Sequence, residues 1–328
     1  MAGVLIQGQG VSAYCCAHLL DVAGNPVRVQ PADRPKLPAL LLSESTQRLA
    51  CDIFGKPGLF DGLPQVEQRV VAWGPNAAPV TLPHRAVVIS EEALAARLYS
   101  QGLDGNTAEP DWRVLASRPL PSLCVDHPFG NRSAAALSVT LKDAASACWI
   151  ESLSAGWLFL IGAGEDKGWL LAVGGPAESL LAGSRLIAAQ IQSTSQASGT
   201  FHAHPRIASP LCGPGWLSCG TAAMAFDPIC GDGAGYAFRE GILAAAVIRA
   251  AGQGGDTAGL LAHYRMRMIA GFQRHLELCR EFYRAGGDGP WWQAESAALQ
   301  RGIEWCRTEL DGHTFRYRLN GFNLRPAG

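Results

Sequence analysis

The sequence lacks the usual features of a nucleic-acid-binding, membrane-spanning or secreted protein. Only 17% of its 328 residues are charged, the net charge is −1, and no block of lysine and arginine occurs. We therefore expect neither nucleic acid nor an anionic membrane to be its main partner. No apolar run reaches the roughly 18 residues of a transmembrane helix. The opening MAGVLIQGQG has neither the basic flank nor the cleavage site of a signal peptide, which predicts a cytoplasmic protein.

Cysteine is plentiful, but its spacing is not that of a metal site. None of the ten cysteines belongs to a CxxC pair, and no cysteine–histidine spacing matches a zinc motif. We expect reduced thiols, packed mostly as small hydrophobic residues. His202 and His204 share one face of a predicted strand, but two ligands are too few for a metal site.

The first thirty residues read as strand, glycine-rich turn, helix and strand. With 48% apolar residues the chain can form one large or two modest domains. Residues 3–6 and 26–30 are apolar enough for buried strands, and between them Ala13, Cys16 and Leu20 recur at helical spacing. Such a βαβ unit requires a parallel sheet.

The periodicity of the apolar residues predicts the secondary structure of the later segments. Residues 66–90 predict strands, and 134–175 predict an antiparallel sheet. Residues 102–122 resemble a loop. Helices are predicted at 43–55, 91–102, 178–192, 234–251, 257–285 and 291–310.

The turn GQGVSA, residues 8–13, has the spacing G-x-G-x-x-A. Gly8 permits a tight turn, Gly10 allows a pyrophosphate to approach the backbone, and Ala13 replaces a third glycine. The N–H groups of the following helix would then bind phosphate. An ordinary tight turn between strand and helix is the alternative.

A second glycine-rich stretch, LSCGTAAMAFDPICGDGAG, spans residues 217–235. So many small residues indicate that something approaches this backbone closely. A helix N-terminus there would stabilise negative charge.

Together these segments resemble the FAD-dependent monooxygenases. The resemblance is closest to the branch with flavin-dependent tryptophan halogenases and the flavoproteins that mature quinone cofactors. In that group a Gly-Asp turn leads to F-x-P-x-S-x-G and a helix that points at the flavin; Phe226, Pro228, Gly231 and Gly233 match, with Cys230 near the usual serine. LPALLLSESTQRLACDIFG (37–55), GWLFLIG (156–162) and the C-terminal segments extend the resemblance over most of the chain.

The sequence departs from this family at both acids that anchor FAD. Gln30 stands where an acid should bind the adenosine ribose; Pro31 is the position if the alignment shifts by one, and Asp33 is a further candidate. Thr221 stands where an aspartate should hold the ribityl chain. Because neutral hydrogen bonds are weaker than charge-assisted ones, the two changes cost about 2–3 kcal/mol, or roughly 30–150-fold in affinity.

The resemblance implies an α/β fold with a Rossmann-type FAD-binding domain, an inserted antiparallel substrate sheet and C-terminal helices. The implied boundaries are 1–130 with 200–255 for the FAD domain, 131–199 for the sheet and 256–328 for the helical region. It implies an FAD-dependent oxidoreductase with an exchangeable flavin. The substrate would be bulky or aromatic, a small molecule or a peptide- or carrier-bound group, and a flavin reductase or other protein could be a partner. Halogenation is disfavoured, since neither Lys36 nor Lys56 is a persuasive catalytic lysine and Phe159 and Gly162 interrupt the tryptophan motif.

The residues implied to bind the cofactor lie in four segments of the chain. They are Gly8, Gly10, Val11, Ala13, Gln30, Arg48, Thr221, Asp227, Pro228, Gly231, Gly233 and Ala234.

Several of these and neighbouring residues have a second interpretation. Arg48 and Arg97 either contact phosphate or face solvent. Asp227 and Asp232 are general bases or, more simply, turn caps. Cys230 at a helix start is a reactive thiol or a filler. The tryptophans that would line an aromatic pocket can equally be core residues; they are Trp157, Trp169, Trp291 and Trp292.

Two rival functions use the same residues differently. A degenerate flavoprotein fold would act as a non-redox binding or maturation partner, which the loss of both acids favours. An NAD(P)-dependent reductase would use the first turn alone and leaves residues 226–235 unexplained.

Overall fold

The computed structural model describes residues 2–32, 35–98, 109–144, 146–195 and 199–327. Within these ranges the chain forms eight α-helices and nineteen strands. The helices are α1 (Val11–Val22), α2 (Glu44–Phe54), α3 (Glu91–Leu98), α4 (Ala177–Gly183), α5 (Gly220–Ala223), α6 (Gly233–Gly252), α7 (Thr257–Gly286) and α8 (Pro290–Leu310). Short 3-10 turns lie at Ala188–Gln190 and Pro228–Cys230.

The strands belong to four sheets. In chain order they are β1 (Val4–Gln7), β2 (Val27–Gln30), β3 (Leu40–Ser43), β4 (Gln65–Ala72), β5 (Val80–Ile89), β6 (Trp112–Leu115), β7 (Val125–Pro128), β8 (Ser133–Leu141), β9 (Ala147–Leu153), β10 (Gly156–Gly162), β11 (Lys167–Gly174), β12 (Ile191–Thr194), β13 (Thr200–His202), β14 (Arg206–Ser209), β15 (Cys212–Gly213), β16 (Trp216–Ser218), β17 (Met224–Ala225), β18 (Tyr317–Asn320) and β19 (Asn323–Pro326).

The five-stranded sheet has the order β15-β16-β6-β1-β2. β1 pairs in parallel with β2 and β6, and β16 pairs in parallel with β6. Val4, Ile6, Val114 and Leu217 are completely buried, as expected for parallel strands covered on both faces. The predicted βαβ unit is confirmed.

Helices α1 and α6 pack side by side through small residues. A Cβ on Gly241 would lie 2.6 Å from the Ser12 carbonyl oxygen and 2.8 Å from Cys15 Cβ. The Cys15 thiol lies 3.5 Å from the carbonyl oxygen of Phe238. Gly241 therefore serves close packing between the two helices.

The nine-stranded sheet is mostly antiparallel and confirms the predicted sheet at 134–175. Its order is β12-β8-β11-β10-β9-β4-β5-β3, with β13 also paired to β8. The β4–β9 pair is parallel. Three strands therefore come from residues 40–89, before the segment expected to form the substrate sheet. The division of the chain into separate domains stays a prediction.

Two expectations about local structure are wrong. Residues Trp112–Leu115, inside the expected loop, form β6 at the centre of the parallel sheet, where the register pairs Trp112 with Val4. The expected helix at 178–192 ends at Gly183, and Ile191–Thr194 pairs with β8 as a strand. In both places long-range strand pairing overrides the local pattern.

The C-terminal helices agree closely with the sequence. α7 begins at Thr257 after the N-cap Asp256, and α8 begins at Pro290, a residue suited to a first helical position. They are followed by the β18–β19 hairpin. Among the described residues, none of the helices has the length and apolar character needed to cross a bilayer.

Candidate functional site

The turn between β1 and α1 has the backbone geometry expected of a dinucleotide turn. Gly8 and Gly10 have φ values of 114° and 122°, which side chains rarely adopt. A Cβ on Gly8 would lie 2.4 Å from Ser117 Oγ. Gly10 is the N-cap of α1 and has no side chain to accept a hydrogen bond from the first turn. This buried helix start is therefore suited to an anion.

Val11 and Ala13 lie in the first turn of α1. Ala13 is completely buried, so the residue that replaces the third glycine packs against the protein interior.

The loop from Asp227 to Gly233 leads into α6 through a 3-10 turn. The Asp227 carboxylate caps this turn by accepting a hydrogen bond from the Ile229 N–H at 2.9 Å, and Gly231 adopts a left-handed conformation with φ 65°. A Cβ on Gly233 would meet nothing within 4 Å. Gly233 therefore faces open space, whereas the Asp232 carboxylate lies against Gly235 in the first turn of α6, which also contains Ala234.

The two helix starts lie at the same edge of the parallel sheet. α6 begins at Gly233 and ends at Gly252. Its middle residue Gly241 contacts Ser12 at the start of α1, and a Cβ on Gly252 would lie 4.0 Å from Ala2, near the start of β1. Eight residues separate Gly233 from Gly241. At 1.5 Å per residue the α6 N-terminus extends about 12 Å beyond the level of Ser12. It therefore projects past the carboxyl end of β1, where ligands bind in open α/β sheets.

At the two positions of the missing acids the side chains are neutral and weakly held. Gln30 Oε1 accepts a 3.5 Å contact from Gln7 Nε2. The Thr221 hydroxyl donates to the Ala116 carbonyl at 3.4 Å, and the Thr221 carbonyl accepts from Arg206 at 2.7 Å. Asp33, the further candidate at the ribose position, lies outside the described residues.

Side chains also close parts of the route between the two helix starts. Gln9 Nε2 donates to the Ala32 carbonyl at 2.8 Å, and the Thr46 hydroxyl donates to Asp232 Oδ1 at 2.8 Å. Asp232, the N-cap of α6, also pairs with Arg239 at 3.0 Å. The cavity at the first turn, lined by Gln9 and Gly10 among others, has a volume of about 10 Å³. Any ligand spanning both ends must displace these hydrogen bonds.

The antiparallel sheet approaches this loop through β4. A Cβ on Gly231 would have Arg69 Nη2 of β4 as its nearest neighbour, at 3.8 Å. Arg69 Nη2 lies 3.1 Å from His84 Nε2 on β5. Burial, followed by the charge of Arg69, lowers the pKa of His84. The pair places a cation beside Gly231. No sequence motif singles out Arg69 or His84.

Phe226 belongs to an aromatic group behind the loop. Its ring stacks on Tyr236 with centroids 4.3 Å apart and meets His275 edge-on at 4.9 Å. The space directly behind the loop is therefore filled by rings, while Gly231 and Gly233 face outward.

A buried ionic network fixes Asp227. Arg132, completely buried, pairs with Asp227 Oδ2 at 2.7 Å and with Glu295. The Tyr283 hydroxyl donates to Asp227 Oδ2 at 3.0 Å. Burial opposes the charge on Arg132, but Asp227, Tyr283 and Glu295 raise its pKa. Asp227 is therefore a turn cap and an ion-pair partner, and its carboxylate is not free to act as a general base.

Cys230 ends the 3-10 turn and meets α7. Its Sγ lies 3.5 Å from Cys279 Sγ, which lies 3.3 Å from His275 Nε2. Of the described residues, these three alone form a group of metal-ligand type, with all ligand atoms within 4.8 Å of one another. His202 and His204 have rings 5.1 Å apart but are not part of such a group.

The remaining cations singled out in the sequence have local partners. Arg48 forms an exposed ion pair with Glu44. Arg97 donates hydrogen bonds to the carbonyl oxygens of Leu59 and Asp61. These two hydrogen bonds explain its position without a phosphate. Lys56 donates to the Arg97 carbonyl.

The tryptophans act mainly as packing residues. Trp157 is fully buried and donates its indole N–H to Tyr283, and Trp292 donates to the Leu153 carbonyl. Trp291 packs edge-on against Trp292 with centroids 4.8 Å apart.

Several solved structures of flavin-dependent enzymes have a similar fold. The peptidyl tryptophan dihydroxylase QhpG, essential for tryptophylquinone cofactor biogenesis, superimposes with a TM-score of 0.73 and 18% identity over 99% of this chain and 86% of that one. The myxobacterial chondrochloren halogenase CndH gives a TM-score of 0.74 and 15% identity, covering 96% and 92% of the two chains. Klebsiella pneumoniae HpxO, complexed with FAD and uric acid, superimposes with a TM-score of 0.63 and 15% sequence identity. The match covers 95% of this chain and 93% of HpxO.

The chain has the fold of the FAD-dependent monooxygenases and halogenases. The resemblance and the α/β class inferred from sequence are thereby confirmed. No family model and no curated protein sequence matches the chain. At 15–18% sequence identity, the similarity to these solved structures shows a shared fold only. The function has to be argued from the residues of the candidate site.

Proposed function

We propose that the protein is a flavin-dependent oxidoreductase, monooxygenase-like, that holds FAD loosely. The observation that carries this proposal is the pair of helix starts at one sheet edge, Gly10 and Gly233, with Gly233 about 12 Å beyond the level of Ser12. Neither start has a side-chain cap from its N-cap residue. Each is suited to one negatively charged part of an extended dinucleotide.

In this proposal each half of FAD has its own set of residues. Gly8, Gly10, Val11 and Ala13 receive the pyrophosphate, with Arg48 as a mobile counter-charge and Gln30 at the ribose. Thr221 meets the ribityl chain, and Pro228, Gly231, Gly233 and Ala234 face the ring. FAD, when bound, supplies the redox chemistry, while the protein binds, orients and excludes water. Asp227 holds the loop in shape from behind through Arg132.

We propose a bulky or aromatic substrate, carried on a peptide or a carrier protein. The similarity to a peptidyl tryptophan dihydroxylase supports a peptide-borne group. Arg69 and His84 lie where the antiparallel sheet meets the loop and would orient an anionic or hydrogen-bonding part of the substrate. A loosely held flavin can arrive already reduced, so we assign its reduction to a separate flavin reductase or partner protein.

A second candidate function is a non-redox binding or maturation partner. The hydrogen bonds Gln9–Ala32 and Thr46–Asp232 and the cavity of about 10 Å³ favour it, because they occupy parts of the proposed cofactor route. We propose a cytoplasmic location for either function.

Thermal unfolding with added cofactor separates the two functions. Oxidised and reduced FAD are each titrated against the purified chain, with riboflavin and ADP as controls for the two halves. A ligand at about 100 times its Kd stabilises the folded state by about 2.7 kcal/mol. FAD should therefore raise the unfolding temperature more than either half. If neither redox form of FAD raises it, the oxidoreductase proposal is wrong and the binding partner remains.

A further inference from the structure

The contact between Cys230 and Cys279 joins the proposed flavin loop to the helix behind it. Cys230 ends the 3-10 turn Pro228–Cys230, and Cys279 lies within α7, 49 residues later. The two sulfur atoms are 3.5 Å apart. A disulfide would bring the two sulfur atoms to roughly 2.05 Å.

His275, one turn before Cys279, has its Nε2 lone pair already engaged. The Asp227 N–H donates to this nitrogen at 2.8 Å, so Nε2 acts as an acceptor. His275 Nδ1 is buried with no hydrogen-bond partner among the described residues. A metal ion would have to displace the Asp227 N–H from Nε2. The arrangement therefore favours a thiol pair over a metal site.

The two thiols differ in exposure and acidity. Cys230 is half-buried beside the outward-facing Gly231 and Gly233, whereas Cys279 is completely buried. Hydrogen bonding from Cys279 lowers the pKa of Cys230 to about 6 despite its burial. Burial raises the pKa of Cys279. A partly buried thiol of lowered pKa next to a fully buried thiol is the arrangement of an attacking and a resolving cysteine.

We propose that Cys230 and Cys279 form a reversible disulfide, with Cys230 as the thiolate that meets the oxidant and Cys279 as the thiol that resolves it. Hydrogen peroxide is the oxidant. The Cys230 thiolate attacks one peroxide oxygen, the O–O bond breaks, and Cys230 becomes a sulfenic acid as hydroxide leaves. Cys279 then attacks the Cys230 sulfur, the S–O bond breaks, and water leaves with the Cys279 proton. The sulfur pair loses two electrons and the peroxide gains them.

The disulfide would tie the loop that ends at Gly233 to α7. The inference does not depend on flavin, because the sulfur contact and the oxidant are independent of any cofactor. Should the proposed function also hold, the same bond would fix the conformation of the loop facing the ring.

Peptide mapping of the full chain tests the bond directly. The protein is exposed to hydrogen peroxide, blocked with N-ethylmaleimide, digested and analysed by mass spectrometry. The wild type should lose two of its ten free thiols, and a linked peptide pair should carry Cys230 and Cys279. Dithiothreitol should restore both thiols. If Cys230 and Cys279 both remain reduced, or are oxidised without linking, the proposal is wrong.

Variants distinguish the two roles. Cys279→Ser should leave Cys230 as a sulfenic acid that dimedone labels, whereas Cys51→Ser, at another half-buried cysteine, should still form the bond. Alkylation of Cys230 by iodoacetamide should have a midpoint near pH 6 in the wild type. Cys279→Ala removes the hydrogen-bond donor and should raise this midpoint by about one pH unit or more, whereas Cys279→Ser keeps a donor and should raise it less.

Metal analysis supplies the competing outcome. Protein purified without chelator is assayed for zinc, and zinc chloride is then added before peroxide. The disulfide proposal expects no stoichiometric zinc and no protection. One equivalent of zinc that blocks both thiols would overturn it in favour of a metal site.

Discussion

Gly241 of α6 lies directly against Ser12 of α1, so that a Cβ at position 241 would come within 2.6 Å of the Ser12 carbonyl oxygen. This contact sets how closely the two helices approach and therefore where the N-terminus of α6 stands relative to the Gly8–Gly10 turn. Gly241→Ala should destabilise the protein by about 1–3 kcal/mol, because overpacking outweighs the helix propensity gained. Urea unfolding measures the effect.

Gly233 is the matched control for that change, since a Cβ there would meet nothing within 4 Å. Gly233→Ala should leave stability unchanged or raise it by up to about 1 kcal/mol. It should nevertheless weaken FAD binding, because the added methyl group enters the space assigned to the ring. Equal loss of stability in both variants would contradict the proposed packing.

Thr221 offers a gain-of-binding test at the position of the missing acid. Its side chain is exposed, so an aspartate is tolerated there. Thr221→Asp should tighten FAD about tenfold, as one neutral hydrogen bond becomes charge-assisted. Thr221→Val, which removes the hydroxyl, should weaken it. Isothermal titration of both variants measures the change, and unchanged affinity in both would show that this residue does not contact the cofactor.

Asp227 should be far more sensitive to substitution than a surface carboxylate. Asp227→Asn leaves the buried Arg132 with Glu295 as its remaining charged partner, and breaking one buried pair costs up to about 3–5 kcal/mol. Glu44→Gln, which breaks the exposed pair with Arg48, should change stability by less than about 1 kcal/mol. Denaturant unfolding of the two variants gives the comparison. A small effect at Asp227 would mean that the network does not hold the loop.

Glu240 predicts a pH dependence of stability. It is buried, and this burial raises its pKa to about 8, although the Gly220 N–H donates to its carboxyl group and opposes the shift. The pKa of Glu240 in the folded protein exceeds the unfolded value near 4.3. The contribution of Glu240 to the free energy of unfolding is therefore complete below about pH 4 and is lost as pH rises towards 8.

Glu240→Gln keeps a carbonyl acceptor for Gly220 and removes the ionisation. The difference in stability between the variant and the wild type should therefore change in favour of the variant as pH rises from 4 to 8, as measured by denaturant unfolding. Glu44→Gln at the surface should show no such trend. A pH-independent difference for Glu240→Gln would mean that this carboxyl group does not titrate in the range.

The sequence by itself determined the features that depend on neighbouring residues. The strand–turn–helix start, the small-residue stretch before α6 and the limits of α6, α7 and α8 all follow from local spacing, glycine and proline. The resemblance of the 217–235 stretch and of further segments along the chain to the FAD-dependent monooxygenases also predicted the fold that the solved structures share.

Only the tertiary structure decided what depends on residues far apart in the chain. β6 became a central strand because Val4 and Trp112 pair across 108 residues, which its four-residue pattern could not indicate. Arg132 and Asp227 are 95 residues apart, so their ion pair, which makes Asp227 a structural residue, has no local signal. The same holds for Cys230 and Cys279, since spacing rules for cysteine recognise short motifs and not a loop that folds onto a distant helix.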